Sequence, residues 1–249
     1  MSGSEETPLW VRVGGGLEEV PSGRRHGPAD PAFPPPGGPW SELRHNGRLV
    51  GWAPARQASR TAVRRAEEEG RRLAQERRAY LVRRLGHKLR SSVLALQELT
   101  RQAAFGRKEL LEQIHDQALD VGRRAVALEL VALDPVDPAR AVVVGAVLNL
   151  AAPGAHRSLP ADAVVRAPEP LLVEALTRAY EWMGGPGSTI RGRLEGQWWQ
   201  LEIEASAERY PLAIPELGEP LVRYLVDSHL EGWLDASRPD SAVIYLPAG

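Results

Sequence analysis

Leu81-Val-Arg-Arg-Leu-Gly-His-Lys-Leu-Arg-Ser-Ser-Val-Leu-Ala-Leu-Gln-Glu-Leu-Thr100 spaces its apolar side chains for a helix. At about 100° per residue, Leu85, Leu89, Ser92, Leu96, Leu99 and Ala103 fall within about 40° of one line. That is a narrow, coiled-coil-like seam. His87 lies about 200° round the same wheel, with Leu94 near 180° and Ser91 near 240°. The histidine thus points away from the seam, beside an exposed leucine. A break at Phe105-Gly106-Arg107 precedes a second helix, expected from Lys108 to about Ala132, with Leu110, Ile114, Val121, Ala125 and Leu128 as its apolar line. Two such helices cannot bury both seams alone; a homodimeric four-helix bundle can.

Glycine and proline bound this hairpin. Residues 55–133 contain four Gly and no Pro, whereas residues 1–54 hold ten Gly and nine Pro. Proline costs about 3 kcal/mol inside a helix, so the long proline-free stretch reads as helical. The chain thus divides into three parts: residues 1–54, β-rich and looped; residues 55–133, the hairpin; and residues 134–249, where turn residues return. Within the hairpin, Ala55 to Gly86 carries ten Arg and four Glu. Glu67/Arg71 and Glu68/Arg72 are expected to pair at i, i+4 on a solvated face. Tyr80 is the one aromatic residue among these arginines, too little for the repeated stacking of a nucleic-acid surface. In the first part, Leu9–Val13 reads as a strand, and Trp40–Arg44 with Arg48–Trp52 as a hairpin turning near Asn46-Gly47. The Gly/Pro-rich run from Pro21 to Pro39 is expected not to order itself. Two or three strands are marginal alone, so this part must pack on something else or on a second copy.

The chain has 249 residues, a formal net charge of −1 and no cysteine. The absence of Cys excludes a disulfide scaffold, a Cys-ligated metal and a thiol nucleophile. Near-neutral charge argues against a general nucleic-acid binder. The longest apolar run, Ala141 to Leu148, is strand-sized and far short of the roughly 18 residues of a membrane span. The start, MSGSEETPLW, lacks a basic region followed by an apolar one, so a soluble cytoplasmic protein is expected. His115-Asp116 has no second ligand at i+4, and His26, His45, His156 and His229 sit in loops or at a helix end, so no metal site is expected. Gly14-Gly15-Gly16 is followed by no Lys-Ser/Thr and is not a phosphate loop. Asp134 and Asp137 read as a helix-ending turn, and Trp198-Trp199 as sheet packing.

Arg84-Leu-Gly-His-Lys-Leu-Arg-Ser-Ser-Val-Leu-Ala-Leu96 resembles the phosphoacceptor box of bacterial two-component sensor histidine kinases, which runs His, acidic residue, Leu-Arg, Thr or Asn, Pro, Leu. The chain beyond the hairpin is similar to the ATP-binding domain of that family. Leu159-Pro160-Ala-Asp and Val165-Arg-Ala-Pro-Glu-Pro-Leu-Leu172 have the cadence of the strand and helix that carry its Asn box. Two strands, Ser188–Glu195 and Trp198–Ala205, a helix over Leu217–His229, and a hairpin of Gly232–Ala236 with Ala242–Leu246 complete the likeness, which covers roughly residues 57–249. The implied fold is α+β. It joins a dimeric helical hairpin (a four-helix bundle) to a degenerate kinase-type α/β sandwich over residues 134–249, with a short β-rich N-terminal segment.

Within this resemblance the nucleotide residues are missing. The Asn-box stretch reads Thr177-Arg-Ala-Tyr-Glu-Trp182, with Trp182 where an asparagine would hold Mg²⁺. The first glycine box reads Ala205-Ser-Ala-Glu-Arg-Tyr-Pro211, without the aspartate that reads adenine or the glycines that admit phosphates. The second is reduced to Leu217-Gly-Glu-Pro220. A metal-bound triphosphate needs amide, carboxylate and cationic partners that this sequence does not assemble, so no ATP binding is expected. Lys88 replaces the acidic neighbour of the histidine.

A retained histidine hairpin beside an erased nucleotide site is similar to the dimeric histidine phosphotransferases of bacterial phosphorelays. That likeness implies His87 as phosphoacceptor, since histidine carries a nitrogen nucleophile. Lys88 and Arg90 would favour an incoming phosphoryl group, and Ser91 stands where relatives carry Thr or Asn. Arg84, Leu94 and Glu98 would form the partner-binding face. The implied partners are a second copy and a response-regulator receiver carrying its own Mg²⁺, with a partner histidine kinase as a further candidate; this chain would bind no cofactor itself. The alternative is a catalytically inactive pseudo-histidine-kinase scaffold that binds a response regulator or partner kinase. An ATP-dependent kinase with disguised motifs ranks third.

Overall fold

A single helix, α1 (Arg60–Ala104), runs through the middle of the molecule in the computed structural model, which describes residues 9–20, 22–27, 40–46, 48–105, 107–132, 138–206 and 217–249. Ser59 caps it, its hydroxyl accepting from the Ala62 amide at 3.2 Å. A 3₁₀ turn at Lys108–Leu110 leads into α2 (Leu111–Ala132), which packs back antiparallel: Gln117 meets residue 92, Arg124 meets residue 88, and the Ala132 carbonyl meets Arg78. Of the expected α1 seam, Leu85 and Ser92 are buried and Leu89, Leu96, Leu99 and Ala103 half-buried. The α2 line needs correction. Ala125 is exposed, and Arg124, Ala127 and Val131 are the buried positions. The lower end of α2 enters the core of the C-terminal part, and that contact turns a different face inward. The expected Glu–Arg pairs also differ. Arg72 pairs with Glu69 at 2.7 Å and Glu76 at 2.6 Å, while the Glu67 carboxylate is taken by His45.

The N-terminal part holds five strands, two more than expected: β1 (Leu9–Val13), β2 (Gly16–Val20), β3 (Arg25–His26), β4 (Trp40–His45) and β5 (Arg48–Pro54). They form one antiparallel sheet in the order β3-β2-β1-β5-β4. Leu9, Val11, Val20, Leu43 and Ala53 bury against Ala66 of α1, so the protein's own long helix covers the sheet. Asn46 takes a positive φ of 50°, as a tight hairpin turn demands. Arg25 and His26 form a strand inside the run expected to stay unordered; the rest of that Gly/Pro-rich loop, beyond 22–27, lies outside the described residues, as does the Asp134/Asp137 turn.

The C-terminal part contains β6 (Arg140–Val143), α3 (Val144–Ala151), β7 (His156–Ser158), β8 (Val164–Ala167), α4 (Glu169–Trp182), β9 (Thr189–Glu195), β10 (Trp198–Glu204), α5 (Glu219–His229), β11 (Trp233–Asp235) and β12 (Ser241–Pro247). Its main sheet runs β11-β12-β10-β9-β7, with only β7–β9 parallel, and β6 pairs separately with β8. The apolar run Ala141–Leu148, expected as strand-sized, is half strand and half helix. Strand alternation buries Leu201, Ile203, Ile244 and Leu246 in the core and leaves Gln200, Glu202, Val243 and Tyr245 on the opposite face. Trp199 lies in the core, whereas Trp198 packs beneath the β1–β2 turn at Gly15. The same core continues into the hairpin through Leu81, Leu85, Ala127 and Val131, and the Tyr224 hydroxyl donates to the Val131 carbonyl at 3.4 Å.

All three parts meet at Asp227. Its side chain on α5 is fully buried and pairs with Arg25 of β3 and, at 3.4 Å, with Arg77 of α1. Glu18 of β2 pairs with Arg77 and lies 3.8 Å from Arg25. The Arg25 guanidinium sits 4.0 Å from the centre of the Trp233 ring. The Gly15 amide donates to the Gly232 carbonyl at 2.7 Å, and Gly14, at φ +61°, leaves no room for a Cβ against the Asp227 backbone. Burial pushes the Asp227 carboxyl up to about 6, against the opposing pull of Arg25 and Arg77.

Candidate functional site

His87 occupies the middle of α1, half a turn beyond Leu85, the last α1 residue of the C-terminal core. Its side chain is exposed. The helix presents it there because Leu85 and Ser92, on the opposite side of the wheel, are drawn into the hairpin. Arg84, Arg90 and Ser91 are exposed around it, and Lys88 is half-buried. The Ser91 hydroxyl donates to the His87 carbonyl at 3.1 Å, the common i−4 bond of a helical serine, which ties it to the backbone in this conformation. Leu94, two turns on, is 59% exposed. Glu98 is exposed and already engaged: hydrogen bonds from Arg101, at 2.7 and 2.9 Å, and from Gln102, at 2.8 Å, hold its carboxyl down at about 2. The patch therefore combines an accessible imidazole, surrounding cations and a bare leucine. It can offer a nitrogen nucleophile to a large anionic partner.

Sequence reading missed the groups behind His87. Arg124 of α2, only 9% exposed, donates through Nη1 to the Lys88 carbonyl at 3.0 Å, and Gln117 donates to the Ser92 carbonyl at 3.4 Å. The signal was present: Gln117, Arg124 and Val131 recur every seven residues on the face of α2 that turns inward.

On α4, where the Asn box would lie, Arg178 is buried and holds Glu174 at 2.6 Å and Glu181 at 2.9 Å. These ion pairs satisfy the helix within itself. Trp182 packs against the core. The stretch expected to replace the first glycine box falls, from residue 207 to 216, outside the described residues. A polar groove of about 590 Å³ lies elsewhere, on the open face of the main sheet, lined by Arg191, Arg193, Gln200, Asp235, Arg238 and Tyr245 among others; it shares no element with His87. Among the described residues no group of three or more His, Cys, Asp or Glu could hold a metal ion, and no helix is long and apolar enough to cross a membrane.

No protein-family model matches the sequence, and no curated protein matches it. Solved structures do share its fold. The histidine kinase AdeS of Acinetobacter baumannii superposes with a TM-score of 0.50 at 17% identity, over 66% of this chain and 98% of its own. The histidine kinase ThkA, solved in complex with the response regulator protein TrrA, superposes with a TM-score of 0.52 at 11% identity, over 98% of this chain and 79% of its own. The hairpin followed by an α/β layer is thus a histidine-kinase-like fold.

Proposed function

We propose that this protein is a histidine phosphotransferase that exchanges phosphate between His87 and a response-regulator receiver without using ATP itself. The observation that carries it is an exposed imidazole near the middle of the long helix of a histidine-kinase-like hairpin. The transfer needs little from this chain. An imidazole nitrogen lone pair attacks the phosphorus of the receiver's aspartyl phosphate, and the phosphorus–oxygen bond breaks with its electrons passing to the carboxylate. The new nitrogen–phosphorus bond leaves a proton on the second ring nitrogen, to be lost to solvent; the reverse steps return the phosphate. Mg²⁺ belongs to the receiver in this scheme. Lys88 and Arg90 offset the negative charge of the arriving phosphoryl group, and Arg84, Leu94 and the rim at Glu98 form the docking face.

The ThkA–TrrA complex lends the partner class its support, as a neighbour in fold bound to a response regulator. A second copy of the chain completes the bundle in this reading, covering Val82 and Val93 of α1 and Leu119 and Val126 of α2, all exposed apolar side chains at heptad-like spacing. Lys88, in place of an acidic neighbour, favours one alternative: a scaffold that binds a receiver or partner kinase and does no chemistry.

The two separate on one comparison. Incubated with a phosphorylated receiver, the chain should gain acid-labile, base-stable phosphate; incubated with Mg-ATP alone, it should gain none. Absence of label from every receiver that binds it would leave the scaffold.

A further inference from the structure

The turn of α1 that presents His87 combines a helical glycine with two successive carbonyls that accept side-chain donors. Gly86 precedes the histidine, and glycine inside a helix costs about 1 kcal/mol relative to alanine. The other α1 glycine, Gly70, is explained by packing, since a Cβ there would meet Val11 at 3.3 Å; at Gly86 a Cβ would meet nothing within 4 Å. Within one copy of the chain, packing therefore does not account for Gly86.

Two consecutive carbonyls in this turn each accept a donor beyond the helix ladder: His87 from the Ser91 hydroxyl, Lys88 from Arg124. One turn on, the Ser92 carbonyl accepts from Gln117. Arg124 is a nearly buried cation whose Nε–H is buried without an acceptor. A buried charge with so few partners costs stability, and an apolar residue at a helix seam would serve packing better. The arginine is better explained by what it holds.

We propose that Arg124 is a positioning residue. With Gln117 it clasps the α1 backbone from behind, at the carbonyls of residues 88 and 92, and so fixes the direction in which the His87 ring leaves the hairpin. The inference rests on His87 being the reacting group only for its consequence; the clasp is a property of the hairpin itself.

The test compares the full-length wild type with Arg124→Met and Arg124→Lys. Hydrogen exchange at the amides of residues 90–92 should quicken at least tenfold in Arg124→Met, with the rest of α1 unchanged and the melting midpoint not lowered. Arg124→Lys, which retains a donor, should restore much of the protection. Phosphoramidate, a small donor, should label His87 within twofold in all three proteins. Transfer from a phosphorylated receiver should slow about tenfold in Arg124→Met at an unchanged half-saturating receiver concentration. Unchanged exchange at 90–92, or loosening spread along the whole of α1, overturns the clasp. If neither donor labels the wild type, the phosphotransfer reading fails, while the exchange result still decides the clasp.

Discussion

Asp227→Asn should remove a pH dependence with an unusual sign. Asp227 is wholly buried at the junction of the N-terminal sheet, α1 and α5, and burial outweighs Arg25 and Arg77, raising its carboxyl from 3.8 to about 6. A carboxyl that holds its proton more tightly when folded gives stability that is fully present below the unfolded value and lost as pH rises through the folded one. Between pH 4.5 and 7.5 this one group should therefore withdraw about 2 kcal/mol from the folded state. Asparagine keeps the shape and an acceptor for the Leu234 amide, which reaches Asp227 at 3.3 Å, but cannot titrate. Urea unfolding of both proteins at pH 4.5, 6.0 and 7.5 isolates the contribution, because every other group cancels in the difference. The stability of wild type minus that of Asp227→Asn should fall by about 2 kcal/mol across the range. A difference that stays flat, or rises with pH, would mean that the two guanidiniums overcome burial and hold the carboxyl at or below its ordinary value.

Leu85→Ala should cost about 2–5 kcal/mol in urea unfolding, because this fully buried side chain belongs at once to the hairpin and to the C-terminal core; Leu94→Ala, at a 59% exposed position, should change stability by no more than about 0.5 kcal/mol. Mg-ATP should leave the melting midpoint unmoved. A stabilisation of about 2.7 kcal/mol, as expected from a ligand at 100 times its dissociation constant, would restore a nucleotide site.

The hairpin was legible because it is written in local spacing: Leu85 and Ser92 repeat at seven residues, and a helix facing its partner must bury them. The outward direction of His87 comes from the same wheel, and the strand Leu9–Val13 from its residues, while the strands expected at Trp198–Ala205 and Ala242–Leu246 came from the family likeness and are observed at Trp198–Glu204 and Ser241–Pro247. The features that stayed hidden depend on long-range partners. β2 and β3 carry charged residues that break the alternation, and Glu18 and Arg25 are held by Arg77 and Asp227, distant in sequence. Spacing alone pairs Glu67 with Arg71, but the β4 hairpin delivers His45 to it instead. Spacing likewise puts Ala125 on the seam of α2, as though α1 were its only neighbour; the C-terminal core rotates that end, and Arg124 takes the inner place. Behind His87, the clasp is hidden because arginine and glutamine on a helix ordinarily face water.

Phosphate mapped on the intact protein decides most directly whether position 87 carries the chemistry. After exposure to a phosphorylated receiver, wild type should hold a single base-stable, acid-labile phosphate on the peptide containing His87, and His87→Ala should hold none at unchanged melting temperature. Equal labelling of the His87→Ala protein would place the chemistry elsewhere.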